Sequence, residues 1–453
     1  MSMLSGTSLT EQLVTALLAK PVQQEDRLRA CYHLLDWLGC VAAGSPSEVA
    51  GIYRSLLASE SGSSTALWQG QSSFDTALAY NAALGNVLEM DDVHRRSILH
   101  PGPVVIPAAL AVAEQQSASL EQLLDAIIIG YEVTIRIGSA IGRSHYRFFH
   151  NTSSCGAFGA AMAAGLLWQL TPAQLVAALG NAGSRTGGLW QMRHEGVHTK
   201  QWHNAEAAKS GVAASRLAKA GMTGPVAILE GPQGLFAAMS DDAVPERVLD
   251  DQPHWLLHDC TFKPWPACRH AHPALDVVSS VLAEHAVTTA EVQHILIETY
   301  QDALTFCDKP MPVTAAEARF SIQHAVAARM IWGEPELWHY QPAHLAEPAV
   351  AALRQRIRLQ VADDLEQGYP MHFGARCQLT LIDGRTLTYQ LDDTLGDPER
   401  PLSTEQLVAK ARRLFAVAGL SKSCIDDLTS LGWAKTSELS TLFGLLQQEP
   451  CHD

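Results

Sequence analysis

Residues 375–391 read ARCQLTLIDGRTLTYQL, and this stretch decides the fold class of the chain. Polar and apolar residues alternate on both sides of Asp383 and Gly384, as they do in strands with one buried face. An Asp-Gly pair between two such runs is typical of a tight hairpin turn, because glycine adopts the backbone angles that the turn requires. The stretch therefore predicts two antiparallel strands.

The residues that lead up to this hairpin carry the same change of pattern. VQHILIETY at 292–300 is predicted to be a strand, and RIRLQVA at 356–362 alternates polar with apolar residues. A helical pattern at 315–331 lies between these two runs. We therefore predict a smaller α+β domain over about 265–391.

The rest of the chain has the pattern of helices. DRLRACYHLLDWLGCVAA at 26–43 places its apolar residues at helical spacing, and Gly44 offers an end to the helix. Ala, Leu or Ile dominate the further predicted helices, at 76–88, 103–113, 123–130, 157–170 and 205–220, and a helical tail at 403–448. The predicted fold class is mainly α with an α+β second domain. It consists of a large discontinuous all-helical domain, 1–264 with 392–453, and a smaller α+β lid domain, 265–391.

The composition limits the partners of the chain. Its 453 residues are 47% hydrophobic and 17% charged, with a formal net charge of −15. A protein this acidic lacks the basic surface that binds nucleic acid or anionic lipid. The longest apolar stretch, 155–168, is shorter than the roughly 18 residues that a membrane span needs. We therefore predict no nucleic-acid partner and no membrane partner.

The cysteines and the N-terminal residues predict a cytoplasmic protein. Nine cysteines are scattered without a CxxC pair, which fits reduced thiols better than disulfides or a zinc site. The first residues show no basic segment followed by an apolar core, so no secretory signal is predicted. The sequence also lacks the GxGxxG, P-loop and GxSxG signatures, which disfavours the enzyme classes that depend on them.

Two polar clusters lie in the first half of the predicted helical domain. The run EMDDVHRR at 89–96, followed by His100, forms either the wall of a polar site or a solvated loop after a helix. His150 precedes a helix that Thr152 or Ser153 is expected to cap, and a helix N-terminus attracts carboxylates. The alternative for His150 is simple packing against an aromatic neighbour.

Two further clusters follow along the chain. The segment 193–209 is locally basic in an acidic protein, which favours an anion site over a solvated face. The segment KPWPACRHAHP at 263–273 lies at the predicted domain boundary, where ligand sites are common, and the alternative is a proline-stiffened linker. His194 and His198 have the spacing of zinc ligands on a helix, with Glu195 between them, but we predict no metal site, because the clusters combine their histidines with lysine and arginine side chains. Histidines with nearby cations suit proton removal next to a carboxylate, because the resulting enediolate carries two negative charges.

Five runs in this order resemble the MmgE/PrpD family. They are EMDDVHRRSILHPGPVVIPAALAVAE at 89–114, FFHNTSSCGAFGAA at 148–161, HTKQWHNAEAAKSGVAASRLAKAGMTGPVAILEG at 198–231, FKPWPACRHAHPALDVV at 262–278 and EARFSIQHAVA at 317–327. The resemblance covers nearly the whole chain. It implies a helical domain and an α+β lid with the active site between them, a homodimer, and chemistry on 2-methylcitrate, cis-aconitate or iminodisuccinate.

The resemblance also implies site residues, motif by motif. The catalytic positions fall on Asp91, His100, His150, Lys200 and His272, and the substrate-binding positions on Glu89, Asp92 and His203. We add Arg95 as a further cation that is predicted to bind a carboxylate. From the decarboxylase and epimerase branches of the family, the resemblance implies no metal and no organic cofactor. The chain departs from the family's pattern at Glu89, where Asp is common, at Asn151, where Pro is frequent, and at Ala205, where Gly is frequent.

Three hypotheses follow for the function. The first is a cofactor-independent lyase, either a decarboxylase or a hydro-lyase, that acts on a small anionic di- or tricarboxylic acid by histidine-mediated proton transfer. The second is an epimerase-like isomerase, which needs the same proton transfer next to a carboxylate. The third is a non-catalytic protein that binds polycarboxylates. The number of titratable groups in the four clusters argues against the third, because binding alone needs fewer of them.

Overall fold

The computed structural model describes residues 6–195, 197–435 and 438–448, and most of these residues are helical. The α-helices of this part of the chain are α1 (Leu9–Ala19), α2 (Gln24–Gly44), α3 (Glu48–Leu57), α4 (Phe74–Leu84), α5 (Gly102–Gln116), α6 (Leu120–Ala140), α7 (Arg143–Tyr146), α8 (Asn151–Leu167), α9 (Pro172–Arg185), α10 (Thr199–Lys219), α11 (Leu235–Met239), α12 (His272–Glu284), α13 (Gln301–Cys307), α14 (Ala315–Arg319), α15 (Ile322–Trp332), α16 (Pro342–Leu345), α17 (Pro348–Arg354), α18 (Asp363–Gly368), α19 (Thr404–Val417), α20 (Lys422–Thr429) and α21 (Ser440–Leu446). Short 3₁₀ turns connect several of them, such as Trp190–His194 and Arg269–Ala271.

The strands form two separate sheets. They are β1 (Ser64–Ala66), β2 (Gly70–Ser72), β3 (Val292–Thr299), β4 (Ile357–Val361), β5 (Ala375–Leu381) and β6 (Thr386–Leu391). β1 pairs with β2, and the other four follow the order β4-β3-β5-β6, with β3 parallel to β4 and antiparallel to β5. The predicted hairpin is confirmed, since β5 and β6 pair antiparallel around Gly384, whose φ is +88°. The predicted fold class, mainly α with an α+β part, is confirmed as well.

The described chain forms two compact units. Unit 1 takes its described residues from Met1–Val87, Asp91–Cys260 and Thr404–Asp453 and contains the helices α1–α11 and α19–α21. Unit 2 consists of Leu88–Met90 and Thr261–Ser403 and contains the four-stranded sheet. The three residues 88–90 thus belong to unit 2, although they lie within the long first segment of the predicted helical domain.

The core of unit 1 depends on helices that approach each other closely. α8 is buried along almost its whole length and packs against α5, α6 and α10. Gly159 on α8 faces Thr134 and Gly130 on α6, and a Cβ at position 159 would overlap the Thr134 hydroxyl. The Gly- and Ala-rich sequence of α8 therefore permits the close packing, and a larger side chain at position 159 would separate the two helices.

The C-terminal helices pack on the helical unit. Lys410 on α19 forms an ion pair at 2.6 Å with Asp36 on α2, and both side chains are buried. Burial raises the pKa of Asp36 to about 6, while Lys410 acts in the opposite direction. An unpaired charge at this depth would be costly, so the pair fixes where α19 can lie against α2.

Two predicted helices differ from the observed ones. The helical piece predicted at 315–331 is interrupted between α14 and α15, because the Ser321 hydroxyl accepts a hydrogen bond from His324 N and starts a new helix. The helix predicted at 205–220 begins earlier, as α10 starts at Thr199 and already includes Lys200 and His203. The apolar periodicity used for the prediction is absent from this polar first turn, which explains the late predicted start.

Two further predictions concern membranes and cysteines. Among the helices at 6–195, 197–435 and 438–448, no helix is both long enough and apolar enough to cross a bilayer. Eight of the nine cysteines lie in the described residues, and each of them is a buried thiol. Burial raises the pKa of several of these thiols, for example that of Cys31 to about 12, which makes them poor nucleophiles.

Candidate active site

The loop between α4 and α5 brings Asp91 and His100 together. His94 and Leu99 exchange backbone hydrogen bonds, which turns the loop back on itself. His100 Nδ1 then lies 2.9 Å from Asp91 Oδ2 and 2.8 Å from the carbonyl oxygen of Asp92. The side chain of Asn86 donates a hydrogen bond of 2.6 Å to Asp91 Oδ1. Asp91 is therefore placed to orient the ring of His100.

Asp92 has a different environment from its neighbour. Its Oδ2 accepts a hydrogen bond from the Tyr131 hydroxyl at 2.8 Å and lies 2.7 Å from His33 Nδ1. Its Oδ1 accepts from Gly102 N at 3.1 Å. These contacts connect the loop at Asp92 to α2, α5 and α6. Both oxygens of Asp92 thus bind protein groups, as expected for a residue that positions the loop.

The acidic run at 89–96 is shared between the two units. Glu89 and Met90 belong to unit 2, and the residues from Asp91 onward belong to unit 1. Glu89 has a φ of +54°, a left-handed conformation that is uncommon for a residue other than glycine. Buried Lys263 donates to the Glu89 carbonyl oxygen at 3.1 Å and lies 3.4 Å from its Oε2. Glu89 is therefore the partner of a buried lysine.

Arg95 is the remaining predicted binding residue of this run. Arg95 is buried, with only 6% of the residue exposed. Its charge, together with that of Arg96, adds to burial in lowering the pKa of His94 to about 3. His94 is consequently neutral at physiological pH, while two arginines supply positive charge to this part of the loop.

His150 is the N-terminal cap residue of α8. The helix begins at Asn151, so the prediction that Thr152 or Ser153 caps it is wrong. Thr152 lies within the first turn, where its hydroxyl accepts a hydrogen bond from His100 N at 3.0 Å instead. This bond connects the start of α8 to the loop that carries His100. It therefore links the two chain segments that carry the predicted catalytic histidines.

The ring of His150 lies between an indole and a second imidazole. Its centroid is 4.6 Å from that of Trp190, and its Nδ1 is 3.3 Å from His203 Nδ1. Its Nε2 is buried and has no hydrogen-bond partner among the described residues. A buried ring nitrogen without a partner is unusual in folded proteins and indicates a position for a ligand or water.

Burial is the main reason that the pKa of His150 lies well below its usual value. The electrostatic effects of His203, Lys200 and His100 act in the same direction, and Asp91 opposes them. His150 is therefore neutral at physiological pH and can accept a proton. These effects also show that the residues lie near enough to act on one another within unit 1.

Lys200 and His203 lie in the first turn of α10. They are three residues apart, so they lie on the same side of the helix. Burial, followed by the charge of Lys200, lowers the pKa of His203. The carbonyl oxygen of His203 accepts a hydrogen bond from the Ser153 hydroxyl at 3.4 Å, which links α10 to the first turn of α8. Lys200 thus supplies a cation beside two neutral histidines.

His272 lies in unit 2, where both of its ring nitrogens bind protein groups. Nδ1 accepts a hydrogen bond of 3.0 Å from the Arg269 guanidinium, and Nε2 donates one of 3.1 Å to the carbonyl oxygen of Ala267. Arg269 in turn forms an ion pair at 2.7 Å with Asp397. Burial and the charge of Arg269 lower the pKa of His272 well below its usual value. Its predicted catalytic role stays a prediction.

Sequence reasoning missed several residues that build the site. They are Asn86, which holds Asp91, His33 and Tyr131, which hold Asp92, and Trp190, which packs on His150. His33 and Tyr131 belong to apolar helical stripes, and a polar residue on such a stripe is the one signal that marks them. Trp190 and Asn86 gave no local signal, because their contacts depend on the tertiary fold.

The arrangement in unit 1 suits acid–base chemistry on an anion. It joins a neutral histidine with an unpaired nitrogen, a second histidine held by a carboxylate, and a lysine. Within the described residues, no group of three His, Cys, Asp or Glu side chains is arranged to hold a metal ion. The protein therefore has a helical unit and an α+β unit, and its helical unit contains a cluster of titratable side chains with an unpaired ring nitrogen.

Comparison with known families agrees with this description. The MmgE/PrpD N-terminal domain matches residues 11–248, and the MmgE/PrpD C-terminal domain matches residues 265–425. The chain belongs to the MmgE/PrpD family. The resemblance noted in the five sequence runs is thereby confirmed.

Three similar proteins are named for the same activity. The cis-aconitate decarboxylase of Homo sapiens is 29% identical over 430 residues, which cover 89% of this chain and 87% of the relative. The cis-aconitate decarboxylase of Mus musculus is 28% identical over 421 residues, covering 88% and 83%. That of Aspergillus terreus is 24% identical over 450 residues, covering 92% and 91%.

Proposed function

We propose that this protein is a lyase that acts on a small di- or tricarboxylic acid through histidine-mediated proton transfer next to a carboxylate. The observation that carries the proposal is the unpaired Nε2 of neutral His150 beside Lys200 and His203. The relatives named cis-aconitate decarboxylase support decarboxylation of a tricarboxylic acid as the reaction to test first.

The charges explain how one histidine can serve such a reaction. Without a ligand, burial and the neighbouring cations keep His150 neutral. A bound polycarboxylate brings negative charge, which opposes the effect of Lys200 and raises the pKa of His150. His150 can then take a proton and deliver it to the substrate carbon. In decarboxylation, carbon dioxide leaves without the electrons of the broken bond, and the remaining carbanion accepts this proton.

Each of the other predicted residues has a proposed role that its contacts support. His100, held by Asp91, is proposed as the second acid–base group, and Asp92 as a positioning residue. Lys200, His203 and Arg95 are proposed to bind carboxylates. Glu89 is proposed to act through Lys263, and His272 to act through Arg269, since these are their contacts in the structure.

The decisive experiment follows three acids by NMR in D₂O. The enzyme is incubated with cis-aconitate, 2-methylcitrate or iminodisuccinate, and the products and deuterium content are measured. Loss of carbon dioxide identifies a decarboxylase, and loss of water identifies a hydro-lyase. Deuterium at carbon without net loss identifies the epimerase alternative. Binding of an acid without turnover or deuterium exchange would favour the non-catalytic alternative and overturn the proposed lyase.

Two accompanying proposals concern assembly and location. The family resemblance supports a homodimer, which light scattering during size-exclusion chromatography measures directly. Eight buried thiols support a reducing, cytoplasmic compartment, because secreted proteins usually pair such cysteines. Localisation of the tagged full-length chain tests the second proposal, and its appearance outside the cytoplasm would contradict it.

A further inference from the structure

Asn151 carries a second unpaired polar atom at the start of α8. Its Nδ2 donates a hydrogen bond of 2.9 Å to the carbonyl oxygen of Ser97. Its Oδ1 is buried and has no hydrogen-bond partner in the described part of the chain, and the residue is 2% exposed. Like the Nε2 of His150, the preceding residue, this atom therefore indicates a position for a ligand or a water.

The contact with Ser97 fixes the direction of the amide. A carbonyl oxygen only accepts hydrogen bonds, so the NH₂ group of Asn151 must face Ser97. The oxygen of the amide then faces the opposite side, and it can only accept. Any ligand group that pairs with it must be a hydrogen-bond donor.

The position of Asn151 connects it to both candidate acid–base histidines of unit 1. It directly follows His150, and the next residue, Thr152, accepts the hydrogen bond from His100 N. Ser97, its own partner, belongs to the loop that carries His100. These contacts place Asn151 between the loop that carries His100 and the residue that carries the unpaired Nε2.

We infer that Asn151 is a specificity-determining residue, whose Oδ1 accepts a hydrogen bond from a hydroxyl or ammonium group of the substrate. The inference rests on the proposed function and narrows its substrate class. An acid that carries only ionised carboxylates offers acceptors and no donor, so it would leave Oδ1 unpaired. A hydroxy- or amino-substituted polycarboxylate satisfies the oxygen, and sites of this kind strongly discriminate against analogues without the donor.

The test compares pairs of acids that differ in this one group. Citrate and tricarballylate share three carboxylates, and citrate alone has a hydroxyl. Aspartate and succinate share two carboxylates, and aspartate alone has an ammonium group. Calorimetry gives the dissociation constant of each acid for the wild-type chain and for the variants Asn151→Leu and Asn151→Ala.

For the wild-type chain we expect at least one donor-bearing acid to bind about tenfold or more tightly than its partner acid. The same ratio should fall to near one in both variants, which lack the acceptor. The pair that shows the effect distinguishes a hydroxyl from an ammonium. Two variants of different size guard against a folding defect, and melting temperatures report on each.

Asn181→Leu provides a matched control. The Nδ2 of Asn181 on α9 also donates to a backbone carbonyl oxygen, that of Thr223, but this contact is exposed. Its ratios should equal those of the wild type. Equal binding within both pairs by the wild type, or ratios unchanged in the Asn151 variants, would overturn the inference and leave the proposed function intact. Failure of all four acids to bind the wild type would also overturn the inference, whereas the proposed function depends on turnover of the three acids followed by NMR.

Discussion

His150 and His272 are both buried, both neutral, and both predicted from sequence motifs, yet their surroundings differ. The Nε2 of His150 has no partner among the described residues. Both nitrogens of His272 bind protein groups, one to Arg269 and one to Ala267. Burial and nearby positive charge lower the pKa of each of them. A lowered pKa therefore does not by itself separate a histidine with an unpaired ring nitrogen from one with both nitrogens bonded.

This difference shows that a buried polar atom without a hydrogen-bond partner indicates a position for a ligand better than a lowered pKa does. Around His272, buried charged groups are matched within unit 2, as in the ion pairs of Lys263 with Glu89 and of Arg269 with Asp397. Such pairs hold an architecture in place, since loss of one partner strands a buried charge. Around His150, by contrast, polar atoms remain for a ligand to satisfy.

The largest expected effect comes from His150→Gln. Glutamine can form hydrogen bonds but cannot titrate, so proton transfer should fail while binding persists. We expect kcat to fall on the order of 10²- to 10⁴-fold, the usual contribution of general acid–base catalysis. Steady-state kinetics with the acid identified by NMR measures the loss, and calorimetry measures retained binding.

His145→Gln is the matched control for this variant. His145 is also buried in unit 1, but it contacts the Met239 carbonyl oxygen and the Ser154 hydroxyl. Its replacement should leave kcat within about fivefold, because a net hydrogen bond is worth about 1 kcal/mol. Wild-type turnover by His150→Gln would move the acid–base role to another group, with His100 first.

Lys200→Ala should have the next largest effect. Loss of one cation beside a polyanionic intermediate is expected to lower kcat/KM roughly 10²- to 10³-fold, by analogy with loss of an oxyanion donor. Lys209→Ala removes a lysine from the same helix, where it pairs with Glu206 in a partly exposed position. That control should retain nearly full activity. Equal activity of the two variants would contradict an anion site at Lys200.

The sequence alone predicted the features that depend on residues close together along the chain. The hairpin at Gly384 was predictable because strand alternation and turn residues are neighbours along the chain. The family motifs, confirmed by the domain matches, pointed to His150, Lys200 and His272 as site residues. Each of these features depends on residues that are close in sequence.

The features that separate the two histidines were not predictable. The contact of His150 with His203 joins residues 53 positions apart, and no local pattern encodes it. The acidic run divides between the units after Met90, and Glu89 has a left-handed backbone that non-glycine residues seldom adopt; no local pattern predicted either feature. Whether a nitrogen is paired depends on atoms from several elements, which a motif does not specify.

Acid should destabilise both units, and buried histidines outside the site allow this to be measured. Burial lowers the pKa of His145 in unit 1 and of His324 in unit 2, each to about 4. The unfolded chain therefore binds protons more readily, so stability is complete above the ordinary pKa and falls as the pH drops toward the folded value. Each residue should cost about 3 kcal/mol of unfolding free energy near pH 4.

Replacement of either residue by Gln should reduce the difference in stability between neutral and acidic pH by about this amount. Urea unfolding of the wild type, His145→Gln and His324→Gln at both pH values measures it. An unchanged pH dependence in His324→Gln together with a reduced one in His145→Gln would show that unit 1 alone determines acid unfolding.

The smallest effect is expected for His272→Gln, the same substitution that should inactivate the enzyme at His150. The amide of glutamine offers one acceptor and one donor, so it can keep the contacts with Arg269 and Ala267. Even if one of these hydrogen bonds is lost, kcat/KM should change by at most about fivefold, since a net hydrogen bond is worth about 1 kcal/mol. His272→Leu, which cannot accept from Arg269, should lower the melting temperature further than His272→Gln does. If His272→Gln lost activity as completely as His150→Gln, with an unchanged melting temperature and a displaced pH–rate profile, His272 would itself carry the proton, and saturated hydrogen bonding would no longer distinguish the two histidines.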